Sequence, residues 1–172
     1  MRRGLFVGRF QPFHNGHLEA VKSILGECQE CVIAIGSSQK SHEPDNLFTL
    51  GERIEMIYES LKAEGLSHKA IIVGIPDVNN NSLWVSHLRA LSPSFDVVYS
   101  NNPLVKRLFS EAGVKVRQLK LVRRGEYDGT AIRKSMGKDK EWEKHVPKRA
   151  KELMISMGAV ERIAEISEGD KL

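Results

Sequence analysis

The stretch RGLFVGRFQPFHNGHLEAVKSIL, residues 3–25, decides the fold. RGLFVG (3–8) reads as a short buried strand that ends on a glycine. RFQPFHNGH, Arg9 to His17, is a tight connection, and helical periodicity begins at once in LEAVKSIL. A strand that turns and feeds a helix is the usual seat of a phosphate. The helix start has unpaired N–H groups and a partial positive charge. Here the turn also carries Arg9, His14 and His17. Pro12 fixes φ, and Gly16 lets backbone or ligand come close. The expectation is a turn that holds the triphosphate of a nucleotide.

Outward from this turn the alternation continues. CVIAIGS (31–37) reads as a second buried strand, and the polar loop SQKSHEPDNLF follows, with Pro44 and Asn46 as turn residues. Thr49 and Glu52 have capping-box spacing for a helix over 49–63, which Gly65 stops. KAIIVGIP (69–76) is strand three, and Ser82 is placed to cap a short helix in LWVSHLRAL. FDVVYS (95–100) is strand four. Asn102-Pro103 then supplies a cap and a first-position proline for a helix that runs to Gly113. VKVRQLKL (114–121) is strand five. A helix begins near Thr130, a second at Pro147, and Gly158 breaks the run. The pattern predicts an α/β fold, a Rossmann-like open parallel five-stranded sheet with helices on both faces and a helical C-terminal segment. The 172 residues suit one domain, 1–172, with the helices of 130–168 on the same body. Ligands in such folds sit outside the carboxyl ends of the strands.

At 41% hydrophobic and 28% charged the composition is that of an ordinary globular protein. No apolar run approaches the ~20 residues that cross a bilayer, and the basic N-terminus is too quickly interrupted for a signal peptide. A cytoplasmic protein with no membrane partner is expected. Cys28 and Cys31 form one CxxC, open to a redox pair, a disulfide or two reduced thiols; a structural zinc site would need four ligands. The net charge of +4 is concentrated late, between Lys120 and Lys151, which suits a polyanion. Nucleic acid is not expected, because that stretch lacks interleaved aromatics beyond Tyr127 and Trp142. Residues 138–151 read as a solvated helical face.

Two constellations carry chemistry. HNGH, His14 to His17, puts two imidazoles at a strand-to-helix junction beside Arg9, where they can donate to phosphate oxygens. A zinc pair is the poorer reading, since no acid or cysteine lies at ligand spacing. GTAIRKSM, residues 129–136, repeats the pattern: a glycine, a hydroxyl-bearing cap at Thr130, and Arg133 one turn into a helix, where its fork can take phosphate bidentately. A surface helix with an ordinary cap is the alternative. The first turn lacks the GxGxxG spacing of a dinucleotide-binding redox enzyme or NAD-binding regulator.

GRFQPFHNGH together with GTAIRKSM resembles the HxGH nucleotidyltransferase superfamily, whose second motif stands here as DGTAIR. GSSQKSH, LFTLGERIEMI, PDVNNNSLWVSH, YSNNPLVKRLF and EYDGTAIRKSM make the resemblance to archaeal-type nicotinamide-mononucleotide (NMN) adenylyltransferases closer, over about 5–167. That resemblance implies that ATP and NMN are converted to NAD and pyrophosphate. It implies His14, His17 and Arg133 as the catalytic groups. Gly8, Arg9, Phe10, Asn101 and Thr130 join them at ATP. Ser37, Phe48, Asp77, Asn79, Asn81 and Trp84 fall to NMN. From the residues alone, Trp84 could equally be a core aromatic, and Asp77, Asn79 and Asn81 could be plain turn formers. The resemblance departs at Asn46-Leu47-Phe48, where the family has Asn-Pro-Phe. Glu43 and Asp45 stand where some members carry an arginine. The NMN phosphate is already a nucleophile, so the protein need only align two anions and neutralise the leaving group. Mg²⁺ is expected, held mainly by ATP phosphates, with no protein metal ligand. The resemblance also implies a homo-oligomer, a hexamer in its fullest form. The alternative acceptors on the same fold are phosphopantetheine, FMN and sugar or alcohol phosphates.

Overall fold

Five strands form one all-parallel sheet in a computed structural model that describes residues 1–119 and 127–169. They are β1 (Arg3–Gly8), β2 (Glu30–Ile35), β3 (Ala70–Gly74), β4 (Val97–Tyr99) and β5 (Val116–Arg117). Among the described residues there are seven α-helices: α1 (Asn15–Leu25), α2 (Leu50–Ala63), α3 (Trp84–Leu91), α4 (Pro103–Glu111), α5 (Gly129–Met136), α6 (Lys148–Ser156) and α7 (Ala159–Gly169). The strand order is β3-β2-β1-β4-β5. The chain therefore builds outward from β1 to one edge and then returns to build the other. Strand order reverses between β1 and β4, the place where open parallel sheets take their ligands.

The helix ends follow local chemistry. The capping box at α2 is present: Glu52 N–H donates to the Thr49 hydroxyl at 3.2 Å, and Thr49 N–H donates to the Glu52 carboxylate at 2.8 Å. Asn102 caps α4 by accepting from Leu104 and Val105, with Pro103 in the first turn. Gly65 and Gly113 end α2 and α4 with φ of 69° and 71°, where a side chain would be strained. Two caps differ from expectation. Asn80, not Ser82, caps the turn that leads into α3, its carboxamide oxygen accepting the N–H of Ser82 two residues on at 3.0 Å. Asp128, not Thr130, caps α5, its carboxylate accepting from Thr130 N–H at 2.8 Å.

β2 to β5 are shorter than their apolar runs. β2 stops at Ile35 because Ser37 turns with φ of 48° and Ser38 N–H donates to Ile75 O. β3 and β4 likewise lose the ends of 69–76 and 95–100, and β5 keeps Val116–Arg117 of 114–121, whose last two residues lie outside the described ones. α1 begins at Asn15, three residues before LEAVKSIL.

The described residues divide into two compact units. The first comprises Met1–Gly8, Glu19–Ser38 and 69–119; the second comprises Arg9–Leu18, Gln39–His68 and 127–169. The first unit holds the sheet. Leu5, Val32 and Val98 lie in register across its centre and are fully buried with Ala34, Leu88 and Phe109. Full burial of each Leu, Val or Phe side chain among them contributes about 1.5–3 kcal/mol. Cys28 and Cys31 are buried there as free thiols, and burial pushes the Cys31 thiol well above its ordinary range, which leaves it inert. In the second unit α6 packs along α2, and α7 packs on α5 and α6. Phe10, Phe13, Leu47, Phe48, Met56 and Met154 are buried within it. Among the described residues no helix is long and apolar enough to cross a membrane.

Candidate active site

Within the second unit, Arg9, Phe10, His14, His17, Thr130 and Arg133 line one cavity of about 150 Å³. The two anion-binding stretches read from the sequence thus converge. The space is small beside a typical ligand pocket of ~300–1,000 Å³, and its lining is mostly polar, so it suits a chain of phosphates rather than a nucleoside.

The histidines are set by each other. His14 N–H donates to His17 Nδ1 at 3.3 Å, and His17 N–H donates to His14 Nδ1 at 3.2 Å. Both Nδ1 atoms therefore accept, and in the neutral ring the proton sits on Nε2. The rings stack with centroids 3.5 Å apart and planes 14° apart. Burial lowers the His14 pKa to about 4, against a smaller upward pull from Asp128. Burial, then repulsion from His14, keeps that of His17 well below its ordinary value. At neutral pH the pair is uncharged, and its donors are Nε2–H groups.

The helix start offers less than expected. Asn15 N–H donates to His145 O at 2.9 Å, and His17 and Leu18 N–H both reach His14 O. The protein itself satisfies the Asn15, His17 and Leu18 N–H groups, so they are not open to a ligand. Gly16 is required by packing: a Cβ there would lie 2.9 Å from the Tyr127 Cβ.

Arg133 also differs from expectation. Its side chain is 5% exposed. Nε donates to Pro44 O at 2.8 Å and one Nη to Gln11 O at 2.7 Å; the other Nη pairs with Asp45 at 2.8 Å. Two of its three nitrogens hold main-chain carbonyls, so the fork is not free for a bidentate grip in this arrangement. Burial lowers the Arg133 pKa, and Asp45 opposes the shift. Gly129 permits this closeness, since a Cβ there would stand 3.0 Å from Gln11 O.

Two residues that sequence reading passed over hold the turn. The Gln11 amide, 3% exposed, clamps the Phe48 main chain: Nε2 donates to Phe48 O at 2.9 Å and Oε1 accepts Phe48 N–H at 2.8 Å. Arg53, fully buried, donates to Arg9 O at 3.0 Å and Thr49 O at 3.2 Å. An amide between two phenylalanines and an arginine in an apolar helix face were the available signals.

Phe48, assigned to NMN, is fully buried in this second unit and meets Gln11 through its backbone. Gly8, Ser37, Asp77, Asn79, Asn81, Trp84 and Asn101 belong to the first unit. There the Ser37 hydroxyl donates to Asp77 at 3.0 Å, which joins the loops after β2 and β3. Asn79 and Asn81 are exposed, flanking the capping Asn80. Trp84 is half-buried and meets Phe109 edge-on at 5.6 Å, so part of its surface is core. The Asn101 amide is engaged at both ends by the Leu119 backbone. His87, not anticipated, donates from Nε2 to Pro76 O at 3.0 Å and steadies the loop before Asp77. Among the described residues no three His, Cys, Asp or Glu side chains gather as a metal-ligand set.

The cytidylyltransferase-like family model matches residues 5–135, which takes in both halves of the cavity. The chain belongs to the cytidylyltransferase-like family. Within it, the chain is 47% identical over 172 residues to the nicotinamide-nucleotide adenylyltransferase of Archaeoglobus fulgidus, covering 98% of this chain and 99% of that one. It is 50% identical over 169 residues to the protein of the same name from Thermoplasma volcanium, covering 98% and 94%. Among solved structures, a bifunctional NMN adenylyltransferase/ADP ribose pyrophosphatase from Francisella tularensis superposes with a TM-score of 0.82 at 18% identity. That match covers 99% of this chain and 54% of the other, so this member of the family spans about half the bifunctional protein's length. The likeness supports the Rossmann-like fold.

Proposed function

We propose that the protein is a nicotinamide-nucleotide adenylyltransferase that joins ATP and NMN to give NAD and pyrophosphate. The observation that carries this reading is the cavity in which two neutral histidines, with their Nε2–H groups preset as donors, meet Arg9 and Arg133. Such a site neutralises charge on a leaving pyrophosphate and needs no acid or base. The NMN phosphate attacks the α-phosphorus in line, and the α–β bridging bond breaks. Catalytic roles fall to His14, His17 and Arg133. Arg9, Phe10 and Thr130 complete the polyphosphate site, and the backbone at Gly8 and Asn101 serves the rest of ATP. Mg²⁺ arrives as part of the substrate, bound to the phosphates.

The choice of acceptor rests on the names of relatives at 47–50% identity, which favour NMN over phosphopantetheine or FMN. Trp84 offers its uncovered face to the pyridinium ring, with Ser37, Asp77, Asn79 and Asn81 on ribose and carboxamide; Phe48, buried and with its backbone held by Gln11, backs the turn rather than touching NMN. A homo-oligomer, hexameric in its fullest form, and a cytoplasmic location belong to the same proposal and are supported by the resemblance alone. The test is NAD formation from ATP and NMN with and without Mg²⁺, alongside nicotinate mononucleotide, FMN and phosphopantetheine. Metal-dependent NAD formation is expected. Faster turnover of FMN or phosphopantetheine, or no NAD at all, would overturn the assignment.

A further inference from the structure

Arg133 is a buried cation whose one direct ion pair among the described residues is with a nearly uncovered carboxylate; Asp128 acts on it only from beyond ion-pair distance. The Asp45 side chain is 71% exposed, against 5% for Arg133. The other two nitrogens of the guanidinium hold neutral carbonyls, of Pro44 and Gln11. Only the nitrogen facing Asp45 has a partner that can leave without breaking the turn.

The loop around Asp45 is held by other residues. Glu43 and Asn46 pair across it through both backbone bonds, at 3.2 and 3.0 Å, and the buried Asn46 donates its side-chain amide to Glu43 at 3.0 Å. Pro44 and Asp45 form the tip. An exposed aspartate in a turn is ordinarily there to hydrogen-bond its own backbone. Here Asp45 directs its carboxylate to Arg133, and rotation of one side chain releases it.

We propose that Asp45 sets the affinity of the cavity for polyphosphate by standing in for the ligand: its carboxylate pairs with Arg133 when the cavity is empty, gives way to ATP, and returns as pyrophosphate leaves. The inference rests on the reading of the cavity as a polyphosphate site. Its physical basis is asymmetry of cost. Leaving a buried guanidinium without an anion is expensive, whereas returning an exposed carboxylate to water is cheap. A phosphate brings more charge and more acceptor oxygens than the carboxylate it replaces. The exchange keeps Arg133 paired at every stage, and Asp45 then opposes retention of the product.

Pyrophosphate binding to the full chain, followed by calorimetry, tests this without requiring turnover. Asp45→Asn keeps the size and polarity of the side chain and removes its charge, so pyrophosphate should bind about tenfold tighter or more. Asp45→Glu should stay near wild type. In the NAD-forming assay Asp45→Asn should lower the KM for ATP and sharpen inhibition by pyrophosphate. Unchanged or weaker pyrophosphate binding by a folded Asp45→Asn protein would overturn the proposal and leave Asp45 a structural role. If neither wild type nor variant binds pyrophosphate, the polyphosphate reading of the cavity fails as well.

Discussion

Acidification should destabilise the protein through His14, and the size of the effect follows from its burial. His14 is 7% exposed, and burial holds its pKa at about 4, below the ordinary value of 6.5 that it regains on unfolding. A histidine with a depressed folded pKa favours the folded state fully above the unfolded pKa. That contribution is lost as pH falls from about 6.5 towards 4, because the unfolded chain takes up the proton first. Integrated from pH 7.5 to pH 5, the loss for this one residue is about 2 kcal/mol. That is a fall of about 1 M in the urea midpoint. His14→Asn isolates the effect, since the asparagine oxygen can still accept the His17 N–H that Nδ1 accepts now. Urea unfolding at pH 7.5, 6 and 5 should show the variant losing about 2 kcal/mol less than wild type over that range. Superimposable pH dependence in the two proteins would refute the buried neutral pair.

Three further outcomes follow from the same geometry. His17→Ala should lower kcat by on the order of 10²–10³ with little change in ATP binding, and an unchanged kcat would remove His17 from the mechanism. Gln11→Met leaves the buried Phe48 N–H and C=O without partners, so urea unfolding should register a loss of about 2–6 kcal/mol; a loss within the ±0.5 kcal/mol or so typical of surface sites would show that the clamp is dispensable. Trp84→Phe keeps an aromatic edge towards Phe109, so it should stay folded and raise the KM for NMN while sparing that for ATP. Equal effects on both substrates would assign Trp84 to the core.

What the sequence disclosed was what short spacing encodes. β1 stands where RGLFVG placed it, and the capping box at Thr49 and Glu52 formed because both of its partners lie within one turn. Strand ends were less legible, because pairing stops where a neighbour ends or a backbone turns, as at Ser37. The cap of α5 was assigned to a hydroxyl at Thr130, yet the carboxylate two residues earlier has the reach. His14, His17 and Arg133 could be chosen by residue type, and they line one cavity. Their partners could not: Gln11 meets Phe48, and Arg133 meets Asp45 across 88 positions. No local periodicity announces such pairs. The occupation of the Asn15 N–H was hidden for the same reason, since the carbonyl that takes it comes from His145.

The second unit is assembled from three separated lengths of chain, and this has a consequence during synthesis. The turn at Arg9–Leu18 leaves the ribosome early, but Asp45, Phe48, Arg133 and His145 are translated long after it. At ~5–20 residues per second, a further 6–25 s or so pass before His145 exists to receive Asn15. Through that interval the second unit, in which Phe10 and Phe13 are buried, is incomplete. The nascent chain is then a natural client for chaperones, and slow translation would prolong its exposure.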